Sequence, residues 1–333
     1  MSDAETHSQP EGGRPVVDQG KFHIPGFTPA RSVLFVIFAA AVVLSPMVLY
    51  PIFLMKIYCF IIFACAYNLL LGYTGLMSFG HAAFFGMGAY LCGHAATQWG
   101  LPFELSVLAG TAFAALLGAV FGWIAIRRQG LYFAMITLAL AQMVYFIALK
   151  APFTGGEDGI QSVPRGTLLG IVDLRSDRAL YWMMAVIVLA VLALYNRIVH
   201  SPFGQVLRAI RNNAERAKSL GYAVDRYKLV SFIISAALSG FAASLKTVIF
   251  GIATLTDVSV TATTEVVLIT LVGGIGTIFG PVAGSYLVLA LEHFLAPYGP
   301  WVLLIQGAVF MGFVLIFRQG LVGGLQRLWK QHL

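Results

Sequence analysis

The chain has 333 residues, of which 59% are apolar and only 11% are charged, and it carries 35 glycines and 25 phenylalanines. That balance excludes an ordinary soluble domain and a disordered chain, and a formal net charge of +7 gathered at a few places does not describe a nucleic-acid binder. Long apolar runs separated by short polar breaks fill 33–317. A helix needs about 20 apolar residues to cross a bilayer. Open sheets leave backbone groups unsatisfied in lipid, and the alternation of a membrane barrel is absent. The expected fold is therefore all-α, a polytopic helical membrane protein.

Residues 1–32 are polar and rich in Gly and Pro, too poor in apolar surface to fold alone, and are expected to form a disordered cytoplasmic tail. Acids precede the first bases and no short apolar stretch with a cleavage site follows, so no secretory signal is expected. Apolar runs then lie near 33–55, 57–73, 81–98, 104–126, 131–150, 179–199, 229–250, 262–279, 281–296 and 301–317. They predict about ten transmembrane helices, eight at the least, in a domain spanning 33–317, followed by a short tail at 318–333. Cys59, Cys65 and Cys92 all fall inside apolar runs, an unpaired set that suggests neither disulfides nor a metal site.

The placement of charge orients the chain, because Lys and Arg near spans mark the cytoplasmic side. Arg127 and Arg128 lie in one gap, seven basic residues lie between Arg197 and Lys228, and Arg318, Arg327 and Lys330 follow the last run. With ten alternating helices all three clusters share one side, and both termini are expected to be cytoplasmic. The segment 151–178, with the turn-forming pair Gly155 and Gly156 and the acids Glu157 and Asp158, then lies outside.

Two stretches, "GYTGLMSFGHAAFFGMGAYL" (72–91) and "LVGGIGTIFGPVAGSYLVL" (271–289), are glycine-rich interruptions followed by small residues. Matched interruptions in two halves of a chain point to a transport site, which makes Gly80, His81, Gly273, Gly274, Gly276 and Gly280 candidates for a translocation pathway. The competing reading is helix packing, since small residues let backbones approach, as in the spacings Gly118 to Gly122 and Gly276 to Gly280. His81 is either a pathway group or a histidine hydrogen-bonded within the bundle. Glu265, Glu292, His293 and Lys246 lie near run ends and are expected at the interface.

No phosphate loop, H-E-x-x-H pair or G-x-S-x-G elbow occurs, so catalysis by this chain is not expected. The gap at 201–228 is different in kind. Ser201-Pro202 reads as a helix start, with Ser as cap and Pro in the first turn. Leu207, Ile210, Ala214, Ala217 and Gly221 follow at spacings of 3, 4, 3 and 4, while Arg208, Arg211, Glu215, Arg216 and Lys218 decorate the other surface. Such an amphipathic cytoplasmic elbow suits either a docking surface for protein or contact with anionic headgroups.

The stretch "ERAKSLG" (215–221) resembles the E-A-A-x-x-x-G cytoplasmic loop of ABC importer permeases, with Arg216 at the second position. Together with "GYTGLMSFGHAAFFGMGAY" (72–90), "RRQGLYFAMITLALAQM" (127–143), "TGGEDGI" (154–160) and "LVGGIGTIFGPVAGS" (271–285), it makes the chain similar to LivM-type branched-chain amino acid permeases from about Tyr67 to Phe317. The resemblance implies a multi-pass subunit of the bacterial cytoplasmic membrane, paired with a second related permease. Two ATPase subunits that bind ATP and magnesium, and an external substrate-binding protein, complete the assembly. It implies no cofactor, metal or nucleic acid on this chain, which is surrounded by membrane lipid. Arg208, Arg211, Glu215, Arg216, Ala217, Lys218 and Gly221 would form the ATPase-coupling loop, and Gly155, Gly156, Glu157 and Asp158 would face the binding protein. Urea, short amides and small organic acids are alternative substrates within that group, and an ion-coupled secondary transporter or channel is the alternative outside it.

Overall fold

The computed structural model describes residues 50–316 except 129, 169, 171, 175 and 300, with short pieces at 38, 40–42, 45–47 and 320–322. The expected tail 1–32 and most of 318–333 lie outside the described residues. The chain divides into Met1–Ala40 and Ala41–Leu333, and every element below belongs to the second unit.

Every apolar run from 57 onward has its own helix among the described residues. Helix α1, Pro51–Asn68, begins where Tyr50 is extended and Pro51 takes the first turn, so 51–55 belong to this helix and not to the run before it. A π turn, Leu69–Thr74, continues it. Then come α2 (His81–Thr97), α3 (Phe103–Ala125), α4 (Leu131–Lys150) and α5 (Asp177–His200). The elbow supplies α6 (Pro202–Asn212) and α7 (Ala214–Ser219). Helices α8 (Val224–Phe250), α9 (Val260–Gly273), α10 (Gly280–Leu295) and α11 (Trp301–Ile316) complete the order. Strand pairing among the described residues is confined to a two-residue hairpin, β1 (Thr167–Leu168) with β2 (Val172–Asp173), and a single bridge from Ile160 to Ala253.

Five segments are long and apolar enough to cross a membrane: Pro51–Thr74, Phe103–Ala125, Leu131–Lys150, Asp177–His200 and Val224–Phe250. With the shorter apolar helices beside them, the chain is a polytopic helical membrane protein, as composition leads one to expect. Helix α1 is apolar on every side and nearly every residue from Leu54 to Asn68 is buried, so it stands at the centre against α5, α8, α9 and α10. Helices α3, α4 and α11 instead expose Leu108, Leu116, Trp123, Met135, Phe146 and Met311, the apolar exterior that lipid or a partner covers.

Small residues set a tight seam between α2, α3 and α8. A Cβ added at Gly88 would lie 2.7 Å from the Gly240 Cα, and one added at Gly240 would lie 2.2 Å from the Ala114 Cβ. Gly118 meets Ala236 and Gly122 meets Leu229 in the same manner, so the first of the two G-x-x-x-G spacings does pack helices. Ser239 and Ser244 turn their hydroxyls to carbonyls one turn back, at 2.9 and 2.8 Å, which satisfies them inside the apolar seam.

Candidate functional site

The elbow is built from its caps inward. Ser201 accepts from the Gly204 amide at 3.3 Å and Pro202 occupies the first turn of α6, as the sequence suggests. The expected stripe from Leu207 to Gly221 is divided between two helices. Asn213 leaves helical geometry at φ −158° and ψ 100°, ends α6, and caps α7 by accepting from the Arg216 amide at 2.9 Å. An Asn gains more from capping than from a helix interior, which is why the 3-4-3-4 pattern bends there.

The bend leaves Leu207, Ile210 and Ala217 buried, with Ile210, Ala217 and Val224 forming a small cluster covered by Val206, Ala214 and Tyr227. Tyr227 also stacks on Phe203, with ring centroids 5.8 Å apart. The elbow thus folds against the base of α8 and keeps its charge outward: Glu215, Arg216 and Lys218 are exposed. A hollow of about 500 Å³ opens beside them, lined by Arg127, Glu215, Lys218, Tyr222, Asp225 and Arg226. Gly221 departs from the expected stripe. It lies beyond α7 at φ +88°, exposed, with nothing within 4 Å of an added Cβ. Its amide donates to the Lys218 carbonyl at 3.0 Å, and the Tyr222 amide donates to the Ala217 carbonyl at 3.2 Å, the paired bonds of a Schellman termination.

Arg208 and Arg211 also bond back to the membrane domain. The Arg208 guanidinium donates to the Val199 carbonyl at 3.3 Å and lies 5.2 Å from the centre of the Tyr73 ring. Arg211 donates to the Gly72 carbonyl in the π turn. Both were expected with the outward coupling charges and both are exposed, but their guanidinium groups also find partners in the π turn and an aromatic face.

The two glycine-rich breaks meet beneath these arginines. The first comprises the end of α1's π turn from Gly72 and the connection Gly75–Gly80 into α2, and the second is the connection Gly274–Phe279 between α9 and α10. A Cβ at Gly72 would lie 2.6 Å from the Gly276 nitrogen. Asn68 ties the crossing together: its side-chain oxygen accepts from the Gly276 amide at 2.8 Å, and its amide donates to the Thr277 carbonyl and the Tyr195 hydroxyl, both at 2.8 Å. Sequence reading missed Asn68, Gly72 and Tyr195. The available signal was a lone amide side chain inside the apolar run 57–73.

The remaining pathway candidates are contact points between backbones. Gly273 fits against Gly280, whose carbonyl oxygen would lie 2.0 Å from an added Cβ, and Gly80 fits against the Thr137 carbonyl at 3.1 Å. Gly274 takes φ +116° to end α9, and Gly276 takes φ +75° in the turn. His81 is fully buried between Tyr67, Phe84 and Phe232, and its Nε2 lies 2.8 Å from the Ser235 hydroxyl. Lys246 pairs with the buried Asp257 instead of reaching outward, and Asp257 also accepts from the Thr254 hydroxyl at 3.1 Å. Lys56 and Glu292 form a half-exposed pair at 3.2 Å.

At the far end of α8, Gly155 and Gly156 both take positive φ and hold Glu157 and Asp158 in an exposed turn. The Ile160 amide donates to the Ala253 carbonyl at 3.0 Å and the Ala253 amide donates to the Ile160 carbonyl at 2.8 Å, which stitches this loop to the segment after α8. No cluster of potential metal ligands occurs among the described residues.

Comparison with known proteins places this architecture. The model of the family described as "Branched-chain amino acid transport system / permease component" matches residues 50–317. The chain is 28% identical over 287 residues to the "High-affinity branched-chain amino acid transport system permease protein LivM" of Escherichia coli (strain K12), covering 79% of this chain and 67% of that protein. The protein of the same name from Salmonella typhimurium (strain LT2) matches with the same identity and coverage. The "Probable branched-chain amino acid transport permease protein LivH" of Methanocaldococcus jannaschii is 30% identical over 118 residues, 34% of this chain and 35% of that one. No solved structure matches the chain. A family match extending from the start of α1 to the end of α11 takes in the central helix, both breaks and the elbow together, and the chain belongs to the permease-component family of branched-chain amino acid transport systems.

Proposed function

We propose that this chain is the membrane-spanning permease subunit of an ABC importer that brings branched-chain amino acids across the cytoplasmic membrane, working beside a second permease of LivH type. ATP is bound and hydrolysed on two separate ATPase subunits, and an external binding protein delivers substrate to the end bearing Glu157 and Asp158. The elbow lies on the cytoplasmic side, with Glu215, Arg216 and Lys218 facing the ATPase.

One observation carries the coupling role. The elbow is folded before any partner arrives: both of its helices are capped, its apolar face is already buried on Ile210, Ala217 and Val224, and its charges surround an open hollow. Lipid contact would call for the reverse arrangement, an apolar face left free to enter the headgroup region. A preformed surface loses little conformational entropy on docking, which favours a protein partner.

The test is uptake of labelled leucine, isoleucine or valine by proteoliposomes. The account expects uptake that requires both permeases, the ATPases, the binding protein and ATP. Accumulation by this chain alone, driven by an ion gradient, would contradict it.

A further inference from the structure

Two exposed arginines of the elbow also bond back to the membrane domain, and they join the elbow to the end of α5 and to the π turn after α1. Arg211 projects from the last turn of α6 and donates to the Gly72 carbonyl. That carbonyl lies in the π turn Leu69–Thr74, where widened helical pairing leaves backbone acceptors short of partners. A guanidinium bond to such an oxygen is charge-assisted and directional. Gly72 itself has no room for a side chain, because an added Cβ would lie 2.3 Å from the Asn68 Oδ1 and 2.8 Å from the Gly276 Cα.

The chain of contacts then runs without interruption. Arg211 holds Gly72, Gly72 presses on Gly276, and Asn68 binds the Gly276 amide, the Thr277 carbonyl and Tyr195. Tyr195 lies on α5, whose end at His200 leads directly into Ser201 and the elbow. Arg208 lies over Tyr73, one residue from Gly72. Elbow, first break, second break and α5 therefore close a ring of short contacts in which Asn68 is wholly buried.

We infer that Arg211 is a positioning residue for transport: through Gly72 it sets how tightly the two breaks cross, so that a turn of the elbow loosens or closes the elbow-side end of the passage. The inference rests on the elbow being the ATPase's seat, and it assigns Arg211 to transmission and Glu215 to docking. Elbow and crossing are held together by the Arg208–Tyr73 contact and by the Arg211–Gly72 bond, the directional one of the two. Losing it leaves the ATPase attached but no longer obeyed.

The experiment uses the whole importer in proteoliposomes, with leucine as substrate, and reads two quantities: ATPase retained on the tagged chain, and leucine moved per ATP hydrolysed. Arg211→Ala is expected to keep ATPase retention within about twofold of wild type while leucine per ATP falls by about tenfold, the scale of one charge-assisted bond. Arg211→Lys keeps a cationic donor and is expected to restore most of the ratio. Asn68→Ala, which loosens the same crossing from inside the membrane domain, is expected to reproduce Arg211→Ala and carries the test if that variant does not accumulate.

Glu215→Ala is the docking control and is expected to lose the ATPase. Loss of the ATPase in Arg211→Ala as in Glu215→Ala would make Arg211 a docking residue and overturn the inference while leaving the elbow's role intact. An unchanged leucine-to-ATP ratio in Arg211→Ala or Asn68→Ala would also overturn it. Full retention and full uptake in Glu215→Ala would remove the elbow's role, and the inference with it.

Discussion

The glycine that closes the Glu215-to-Gly221 pattern ends a helix of only six residues. So short a helix lacks the length to hold itself and depends on its ends. Asn213 satisfies the first turn, and Gly221, at φ +88°, lets the chain fold back so that two amides satisfy the carbonyls of Ala217 and Lys218. A side chain at Gly221 would meet no neighbour, so the requirement is backbone conformation alone. For an L residue that conformation costs about 1–2 kcal/mol, and Asn tolerates it better than most. Gly221→Val is therefore expected to raise trypsin cleavage at Arg216 and Lys218 by about fivefold or more, with Gly221→Asn close to wild type. Equal cleavage of all three proteins would show that the turn does not depend on the glycine.

The residue pattern revealed that this glycine matters; its reason, a helix end and not a packing stripe, needed the backbone angles. Asn68 was visible in the sequence as a polar interruption, but its partners at Tyr195, Gly276 and Thr277 lie more than 120 residues away, beyond any local pattern.

At the scale of elements, the breaks and the seam divide the glycines into two kinds. Those at the seam of α2, α3 and α8 keep helical backbone and are required for closeness; those at 274 and 276 take positive φ and are required for turning. Composition could not separate these uses, because both demand the same residue. Helix existence was legible for each apolar run from 57 onward, since each is long enough to commit. Boundaries shifted where capping overrode hydropathy: Pro51 opened a helix within one run, Gly274 stopped another, and α8 begins at Val224 because Asp225, Arg226 and Lys228 extend it toward the elbow.

The seam yields a direct prediction. Gly240→Leu would force side-chain carbons into Ala114, an overpacking expected to cost about 1–3 kcal/mol and to lower the melting midpoint in detergent. Adding Ala114→Gly should recover part of the loss. Gly307 on α11, with nothing within 4 Å of an added Cβ, is the control, and Gly307→Ala is expected to leave the midpoint unchanged or raise it. An unchanged midpoint in Gly240→Leu would mean that the three helices do not close on one another as described.

For the whole molecule, α8 sets the axis. The elbow precedes its first residue, Val224, and the loop stitched by Ile160 and Ala253 follows its last, Phe250, so the basic elbow and the acidic turn of Glu157 and Asp158 occupy opposite ends. Arg127 lines the same hollow as Glu215 and Lys218, which brings two of the three basic clusters to one end as charge counting expects. On the proposed function, the apolar exterior of α3 and α4 and the charged elbow below it would serve different partners, one lipid or a second permease and the other an ATPase.

That division is tested by placing a photoactivatable amino acid at one of two exposed positions, Lys218 on the elbow or Leu116 on α3, in the importer within its native membrane. The account predicts that illumination joins position 218 to the ATPase subunit, and that position 116 yields only lipid or permease adducts. Adducts from position 218 with lipid alone, in a preparation where the ATPase is bound and active, would contradict it.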